Sequence, residues 1–122
     1  MSGLERQFVI NVERPHQLPV PRRQARHRPG DISAYLDNYY PDQRLAVEPD
    51  GLAAHPAETR WSDIHRDNRF ARHGIQTLRY NWADITQRAC IVAADIATVL
   101  QLRGWTGHHR HCPKCPPPGR RP

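Results

Sequence analysis

The chain has 122 residues, a formal net charge of +6 and 18 cationic side chains, of which Lys114 is the only lysine. Its length fits one domain with a core of its own, and its positive excess is typical of proteins that bind a polyanion such as nucleic acid. A coding bias toward arginine would produce the same composition. No apolar run is long enough to cross a membrane and no signal-peptide pattern is present, so we expect a cytoplasmic protein without a membrane partner. Three cysteines outside any disulfide pattern agree with a reducing compartment.

The first predicted element is a helix over residues 2–14, where apolar side chains recur at helical spacing. Ser2 is its expected N-cap, and Glu5 completes a capping box. A proline-containing loop and a basic run follow the helix. The arginines of this run are expected to grip a phosphate backbone without reading its sequence, and they are Arg22, Arg23, Arg26 and Arg28.

Two strands are predicted next, over residues 32–40 and 44–50, because both segments alternate with a period of two. Asp37 lies on one face of the first strand, and Glu48 and Asp50 share one face of the second. If the two strands are neighbours in one sheet, the three carboxylates meet on a single surface.

The second half of the chain predicts a helix over residues 57–73, a strand over 75–82 and a helix over 88–104. The order of helix, strands, helix, strand and helix predicts an α/β (α+β) domain over residues 1–106. In this domain a mixed sheet is flanked by helices.

The three predicted carboxylates suit a divalent cation, because Mg²⁺ prefers one or two carboxylates together with waters and phosphate oxygens. Asp37 and Glu48 are the expected ligands, with Asp50 beside them. His55, just past the Asp-Gly turn, has a side chain suited to accept a proton from an attacking water. The alternative is that Asp50 belongs only to a turn and Asp37 is a solvated surface carboxylate.

The predicted helix over residues 57–73 carries acidic and basic side chains on its inward face. Asp67 lies there, Asp63 is its like-charged neighbour four residues earlier, and Arg66 is available to neutralise them. A structural ion network and a set of residues that supports a catalytic site explain this pattern equally well.

The tail over residues 107–122 contains a Cys-x-x-Cys motif formed by Cys112 and Cys115. Three histidines lie just upstream, namely His108, His109 and His111. Two thiolates at this spacing with a histidine are typical of half a zinc site, but the second half is absent from the tail. Because the tail is rich in proline and charge, we expect it to be disordered and not to hold Zn²⁺.

Over residues 2–105 the chain resembles a family of uncharacterised domains that is similar to the very-short-patch-repair endonuclease. That family belongs to the wider PD-(D/E)xK restriction-endonuclease-like superfamily. The resemblance rests on segments that occur in the same order, which are SGLERQFVINVER, LPVPRRQAR, YLDNYY, LAVEPDGLAAHPAETRWSDIHRDNRFARHG, LRYNWADIT and LQLRGW.

This resemblance implies an αβββαβ core that cleaves phosphodiester bonds in DNA with Mg²⁺ or Mn²⁺. It implies that Asp37 is the motif aspartate, that Glu48 is the acid of the second half-motif, and that Asp50 stands where many relatives have lysine. The remaining matches are supporting or catalytic residues, namely Glu5, His55, Arg66 and Asp67. Relatives often carry this domain behind an antitoxin-like module, which implies a separately encoded regulatory or antitoxin-like partner.

Two residues depart from the family pattern. No lysine stands beside Glu48, and Pro49 interrupts a strand that should be central, where proline is rare because it donates no backbone hydrogen bond. The sequence therefore predicts a metal-dependent endonuclease-like domain acting on DNA, in a defence, repair or toxin–antitoxin setting, with Arg66 or Arg79 offsetting phosphate charge. The alternatives are a catalytically impaired nucleic-acid-binding module and a protein-interaction module of the same fold.

Overall fold

Three strands and the helices around them make up the part of the chain that the computed structural model describes, which is residues 3–23, 36–50 and 57–117. In chain order the elements are α1 (Gly3–Phe8), a π-helix (Val9–Glu13), β1 (Tyr39–Tyr40), β2 (Leu45–Asp50), α2 (Ala57–Ala71), β3 (Gln76–Asn81), α3 (Trp82–Gln87) and α4 (Ala89–Leu102). The described helices include none with the length and apolar character needed to span a membrane. The architecture is mixed α+β, as the sequence predicts.

The sheet has the strand order β1-β2-β3, so β2 is its central strand. β1 and β2 form an antiparallel hairpin whose closing pair is Tyr40 and Leu45. The turn between them ends at Arg44, which has a positive φ of 53°. β2 and β3 are parallel, with Leu45 opposite Gln76, and α2 lies between them in the chain as the crossover that a parallel pair requires.

β2 separates two apolar clusters, because successive side chains of a strand point to opposite faces. Leu45 and Val47 pack in the larger cluster, whose other members come mostly from α1, the π-helix, α3 and α4. Ala46 packs in the smaller cluster, together with Phe70 of α2. Glu48 is two residues beyond Ala46, and it therefore lies on the α2 face of the sheet.

Most predicted elements occur within a few residues of their expected bounds, including β2, β3, α2 and α4. Gly74, which follows α2, has a φ of +77° that suits the glycine expected at the end of this helix. The N-terminal helix differs in its second half, where the backbone N–H of Arg14 donates to the oxygen of Val9 at 3.0 Å. This five-residue spacing defines the wider π-helix.

The predicted strand over residues 32–40 is wrong in its described part, because β1 contains only Tyr39 and Tyr40. Asn38 has a φ of +40°, and its side-chain amide donates to the oxygen of Val47 at 3.1 Å. A left-handed residue interrupts the pleat, and asparagine tolerates this conformation better than most residues. Residues 31–35 lie outside the described ranges.

The strand predicted to reach Trp82 ends one residue earlier, where the short helix α3 begins. The side chain of Asn81 accepts a hydrogen bond from the backbone of Asp84, and the side chain of Asp84 accepts one from the backbone of Asn81. This reciprocal capping box starts a helix that the sequence reading missed.

Pro49 is accommodated inside β2, where it lies opposite Tyr80 of β3. The N–H of Val47 donates to the oxygen of Asn38 at 3.0 Å, so Val47 directs its nitrogen away from β3. Successive backbone nitrogens of a strand point to opposite neighbouring strands, so residues two positions apart point to the same one. Pro49 therefore also directs its nitrogen away from β3. The missing N–H removes no bond between β2 and β3, and the strand continues to Asp50.

We therefore expect Pro49→Val to change the free energy of unfolding by less than about 1 kcal/mol. The matched control is Val47→Pro, which deletes the hydrogen bond to Asn38 and is expected to cost at least about 2 kcal/mol. Urea unfolding of both variants, followed by circular dichroism, measures the difference. Strong stabilisation by Pro49→Val would contradict the orientation described above.

Candidate functional site

Two of the predicted acids, Asp37 and Glu48, lie side by side on the α2 face of the sheet. Glu48 is only 4% exposed, and its Oε1 accepts a hydrogen bond from the backbone N–H of Asp37 at 3.2 Å. The left-handed turn at Asn38 places Asp37 opposite Glu48 just before β1 begins.

The surroundings of Glu48 make its ionised form costly. Burial and the neighbouring charge of Asp37 raise the pKa of Glu48 to about 8, and Arg66 offsets only part of this effect. Two close carboxylates with little solvent are stabilised either by a shared proton or by a cation. The donor set of two carboxylate groups with an arginine nearby fits Mg²⁺ or Mn²⁺, which prefer oxygen ligands.

Arg79 lies opposite Glu48 in the register of β2 and β3, but α2 holds its guanidinium group. Nε and Nη2 of Arg79 donate to the two carboxylate oxygens of Asp67 at 2.8 and 2.7 Å. Asp63 is a more distant partner at 3.8 Å. The hydrogen bonds with Asp67 are the main reason that the pKa of Arg79 is raised. Asp67 therefore anchors Arg79 between α2 and β3.

The other predicted catalytic residues are not gathered around Asp37 and Glu48 in the same way. Asp50 ends β2 on the same face, but among the described residues Asp37, Glu48 and Asp50 do not form a group in which one oxygen from each lies within 4.8 Å of the others. Glu5 belongs to α1, which packs on the opposite face of β2. Three predicted residues lie outside the described ranges, and they are His55, Arg26 and Arg28.

Two arginines of the predicted basic run are described, and their environments differ. The guanidinium of Arg22 is exposed and lies over the ring of Tyr39, 5.5 Å from its centroid. Arg23 forms an ion pair with Glu13, a buried carboxylate at the end of the π-helix. Arg22 therefore presents charge to solvent, whereas Arg23 neutralises a buried acid.

A second cluster of metal-ligating side chains consists of His16, Cys90, Cys112 and Cys115. Their ligand atoms all lie within 4.8 Å of one another. His16 follows the π-helix, Cys90 lies in the first turn of α4, and the other two cysteines belong to the tail. The tail is described as far as Pro117. Its two cysteines reach partners in the folded domain, and the sequence reading did not anticipate these partners.

The four ligand atoms of this cluster form a compact arrangement. Nε2 of His16 is 3.5 Å from the Cys90 sulfur and 3.3 Å from the Cys115 sulfur. The Cys112 sulfur is 3.5 Å from that of Cys90 and 3.4 Å from that of Cys115. The sulfurs of Cys90 and Cys115 are the closest pair, at 2.7 Å.

The orientation of His16 is fixed by its backbone surroundings. The ring is fully buried, and its Nδ1 lies 2.8 Å from the oxygen of Val12, one helical turn earlier. A hydrogen bond to this carbonyl requires a proton on Nδ1 and leaves Nε2 as an acceptor facing the cysteines. Burial also lowers the pKa of His16, which favours the neutral ring. The tail contacts the same residue through the N–H of Arg110, 2.6 Å from the His16 oxygen.

The tail forms a tight turn over residues 112–115, which brings the sulfurs of Cys112 and Cys115 close together. The backbone N–H of Cys115 donates to the oxygen of Cys112 at 2.9 Å, and the N–H of Cys112 donates to the Cys115 sulfur at 3.3 Å. Burial and hydrogen bonds with the other two thiols raise the pKa of Cys90 to about 12. Hydrogen bonds with Cys115 and Cys90 instead lower the pKa of Cys112, so the two thiols Cys90 and Cys112 differ in how readily they ionise.

His16 and Cys90 are the site residues that sequence reasoning missed. The expected partners of the Cys-x-x-Cys motif were the histidines upstream in the tail, yet His108, His109 and His111 are not members of the cluster. The available signal was the third cysteine, because Cys90 leaves an odd count when the tail motif is considered alone. No periodicity connects residue 16 with residue 115, and only the tertiary structure brings them together.

Searches for similar proteins found no matching protein family, no matching curated protein and no matching solved structure. The class of the protein is therefore defined by its own architecture, which is a mixed α+β domain with a small three-stranded sheet. It carries a carboxylate pair on the α2 face and a cysteine–histidine cluster where the tail meets α4 and the turn after the π-helix.

Proposed function

We propose that the chain is a metal-dependent endonuclease-like domain that hydrolyses phosphodiester bonds in DNA, with Asp37 and Glu48 as the ligands of Mg²⁺ or Mn²⁺. The observation that supports this proposal most is the contact between buried Glu48 and Asp37 on one face of the central strand. When bound there, the ion would polarise the phosphate and lower the pKa of a bound water.

The arrangement of β1, β2, α2 and β3 supports a restriction-endonuclease-like core as part of the same proposal. An antiparallel hairpin is followed by a crossover helix and a parallel strand, which is the order expected for the second half of an αβββαβ core. Arg22 also pairs with Tyr39 in an isolated bridge, at the edge where a further strand would lie. The proposed resemblance to very-short-patch-repair-like domains rests on these features and on the sequence segments.

The proposed roles of the other residues follow from their positions. Arg66 is close enough to Glu48 to lower its pKa, and in the proposal it offsets charge on the bound phosphate. Asp67 positions Arg79, so Arg79 acts mainly as a structural link. The sequence resemblance, and not a described position, is the basis for His55, which with Asp50 is proposed to orient the attacking water. Arg22 is the proposed contact to the DNA backbone.

A second candidate function is a nucleic-acid-binding module that does not cleave. Two observations favour it, namely that Asp50 stands where the resemblance expects a lysine and that the Arg79 guanidinium is already bound to Asp67. In this case the basic surface would bind DNA while Glu48 remains protonated. A protein-interaction role with a separately encoded regulatory or antitoxin-like partner remains a third proposal.

Plasmid nicking with the full chain tests the catalytic proposal. We expect slow nicking with Mg²⁺ or Mn²⁺, no nicking with EDTA, and loss of at least about 100-fold in Glu48→Gln, because one ligand of the ion loses its charge. Asp42→Asn, in the exposed β1–β2 turn, is the matched control and should retain activity. Salt-sensitive DNA binding without cleavage by the wild-type chain would reject the nuclease and favour the binding module.

A further inference from the structure

The cluster of His16, Cys90, Cys112 and Cys115 has the chemistry of a zinc site and not of a magnesium site. Three thiolates and one imidazole are soft or borderline ligands, whereas Mg²⁺ requires oxygen. The cluster is also separate from the carboxylate pair, because Cys90 belongs to α4 while Glu48 lies on the α2 face of the sheet. Any ion in the cluster is thus independent of the proposed catalytic metal.

We propose that these four residues bind one Zn²⁺ ion in a closed tetrahedral site that fixes the tail to the folded domain. Zinc bonds of about 2.3 Å to sulfur and about 2.0 Å to nitrogen require separations of about 3.8 Å between sulfurs and about 3.5 Å between sulfur and nitrogen. Two of the three nitrogen–sulfur separations are 3.5 and 3.3 Å. Two of the sulfur pairs are at 3.5 and 3.4 Å.

The third sulfur–sulfur distance, between Cys90 and Cys115, must increase for the ion to bind. The sulfurs of Cys90 and Cys115 are 2.7 Å apart, so binding separates them by about 1 Å toward the tetrahedral value. Both cysteines are partly exposed, and their side chains can move without displacing the core. His16 needs no adjustment, since its Nε2 already faces the sulfurs and its Nδ1 is held by Val12.

The groups around the ligands are those that support a zinc site. A backbone carbonyl on the second nitrogen of a ligating histidine fixes the ring and its tautomer, as Val12 does for His16. A backbone N–H group directed at a cysteine sulfur stabilises the thiolate, as that of Cys112 does for Cys115 at 3.3 Å. On binding, three thiols release their protons to solvent, and the site becomes an anion of net charge −1.

Four protein ligands leave no open position for water or substrate, so the site has a structural role. The ion joins three segments that are distant in sequence, since His16 and Cys90 are 74 residues apart and Cys90 and Cys112 are 22 residues apart. The backbone oxygen of His16 also accepts a hydrogen bond from the N–H of Arg110, so the tail contacts the domain beside the cluster. The ion completes this attachment.

Elemental analysis of the full chain tests the proposal, after purification without a histidine tag and under reducing conditions. We expect about one zinc per chain in the wild type, and its loss in Cys90→Ser and in Cys112→Ser. The matched control is the pair of tail variants His108→Asn and His109→Asn, which should retain the full content. Zinc retained in His16→Asn but lost in the tail variants would show that the tail histidines are the ligands, and would overturn the assignment.

Cobalt substitution gives a second measurement that does not depend on folding of the variants. Reduced wild-type protein with Co²⁺ should show the visible bands of a tetrahedral site and a thiolate charge-transfer band, and Zn²⁺ should abolish both. The proposal is overturned if freshly reduced protein contains no zinc and gives no such bands. Mass spectrometry that finds Cys90 and Cys115 joined by a disulfide in protein isolated from a reducing cytoplasm would overturn it as well.

Discussion

Removal of Zn²⁺ from the reduced protein should lower its melting temperature by about 10 °C. In the proposed site the ion binds the folded chain through His16, Cys90, Cys112 and Cys115, and the unfolded chain would not hold these four ligands together. We expect a loss of about 3 kcal/mol, because the apolar core remains and only the tail and its contacts are released. A domain of this size changes its melting temperature by about 3–5 °C per kcal/mol. Calorimetry of the protein before and after chelation, with a reductant present, measures the shift.

Two variants separate the effect of the ion from other effects of the chelator. Cys112→Ser and a truncation after Gly107 should both melt near the temperature of the chelated wild type, and neither should respond further to the chelator. Returning Zn²⁺ should restore the wild type alone. The sequence-based expectation of a disordered tail makes the opposite prediction, which is that truncation leaves stability unchanged. An unchanged melting temperature after the zinc is shown to have left would contradict the structural role.

Local patterns predicted the parts of the structure that depend on neighbouring residues. The period-two alternation of residues 44–50 placed Glu48 and Asp50 on one face of a strand, and the structure has that strand. The helical pattern of α4 was equally informative, because this helix buries an apolar stripe, whereas in the described part of α2 Phe70 is buried and Ile64, predicted to face inward, is 57% exposed. The proximity of Asp37 to Glu48 also followed from two adjacent strands, although a left-handed Asn38 and not a continuous strand brings them together.

The parts that sequence reasoning missed depend on contacts between distant segments. His16 lies 99 residues before Cys115, and its side chain resembles that of any buried histidine until the tail is placed beside it. Composition predicted disorder for the tail because it contains too few apolar residues to bury. A metal site with four protein ligands can order a segment that buries few apolar residues. Composition alone does not reveal such a site.

The bidentate contact between Asp67 and Arg79 shows a similar limit in the carboxylate site. The sequence left a structural ion network and a catalytic support as equal alternatives, and the structure shows that the Asp67 carboxylate is bound by Arg79. Arg79 comes from β3 and Asp67 from α2, so their pairing required the crossover that brings the helix over the strand. The consequence for the proposed mechanism is that Arg66 remains the nearest candidate to contact a phosphate.

Replacement of Glu48 by glutamine should stabilise the protein at pH 8 while abolishing metal-dependent cleavage. Burial first and the charge of Asp37 second raise the pKa of Glu48 from 4.5 to about 8 in the folded chain. Between these pH values the unfolded chain releases this proton while the folded chain retains it. The wild type therefore loses up to about 1.4 kcal/mol of stability for each pH unit of increase in this window. Below pH 4.5 both states bind the proton, and the effect of Glu48 is constant.

Glutamine is uncharged at every pH, and its oxygen can still accept the hydrogen bond from the Asp37 backbone. We expect Glu48→Gln to exceed the wild type by about 2 kcal/mol or more at pH 8 and to match it near pH 4.5. Urea unfolding at several pH values, with the exposed Asp42→Asn as control, measures the difference. Mg²⁺ or Mn²⁺ at pH 8 should stabilise the wild type and leave the glutamine variant unchanged, because only the wild type offers two carboxylates. A stability difference that is the same at pH 5 and pH 8 would show that Glu48 titrates alike in both states, and the argument for a cation site beside Asp37 would then fail.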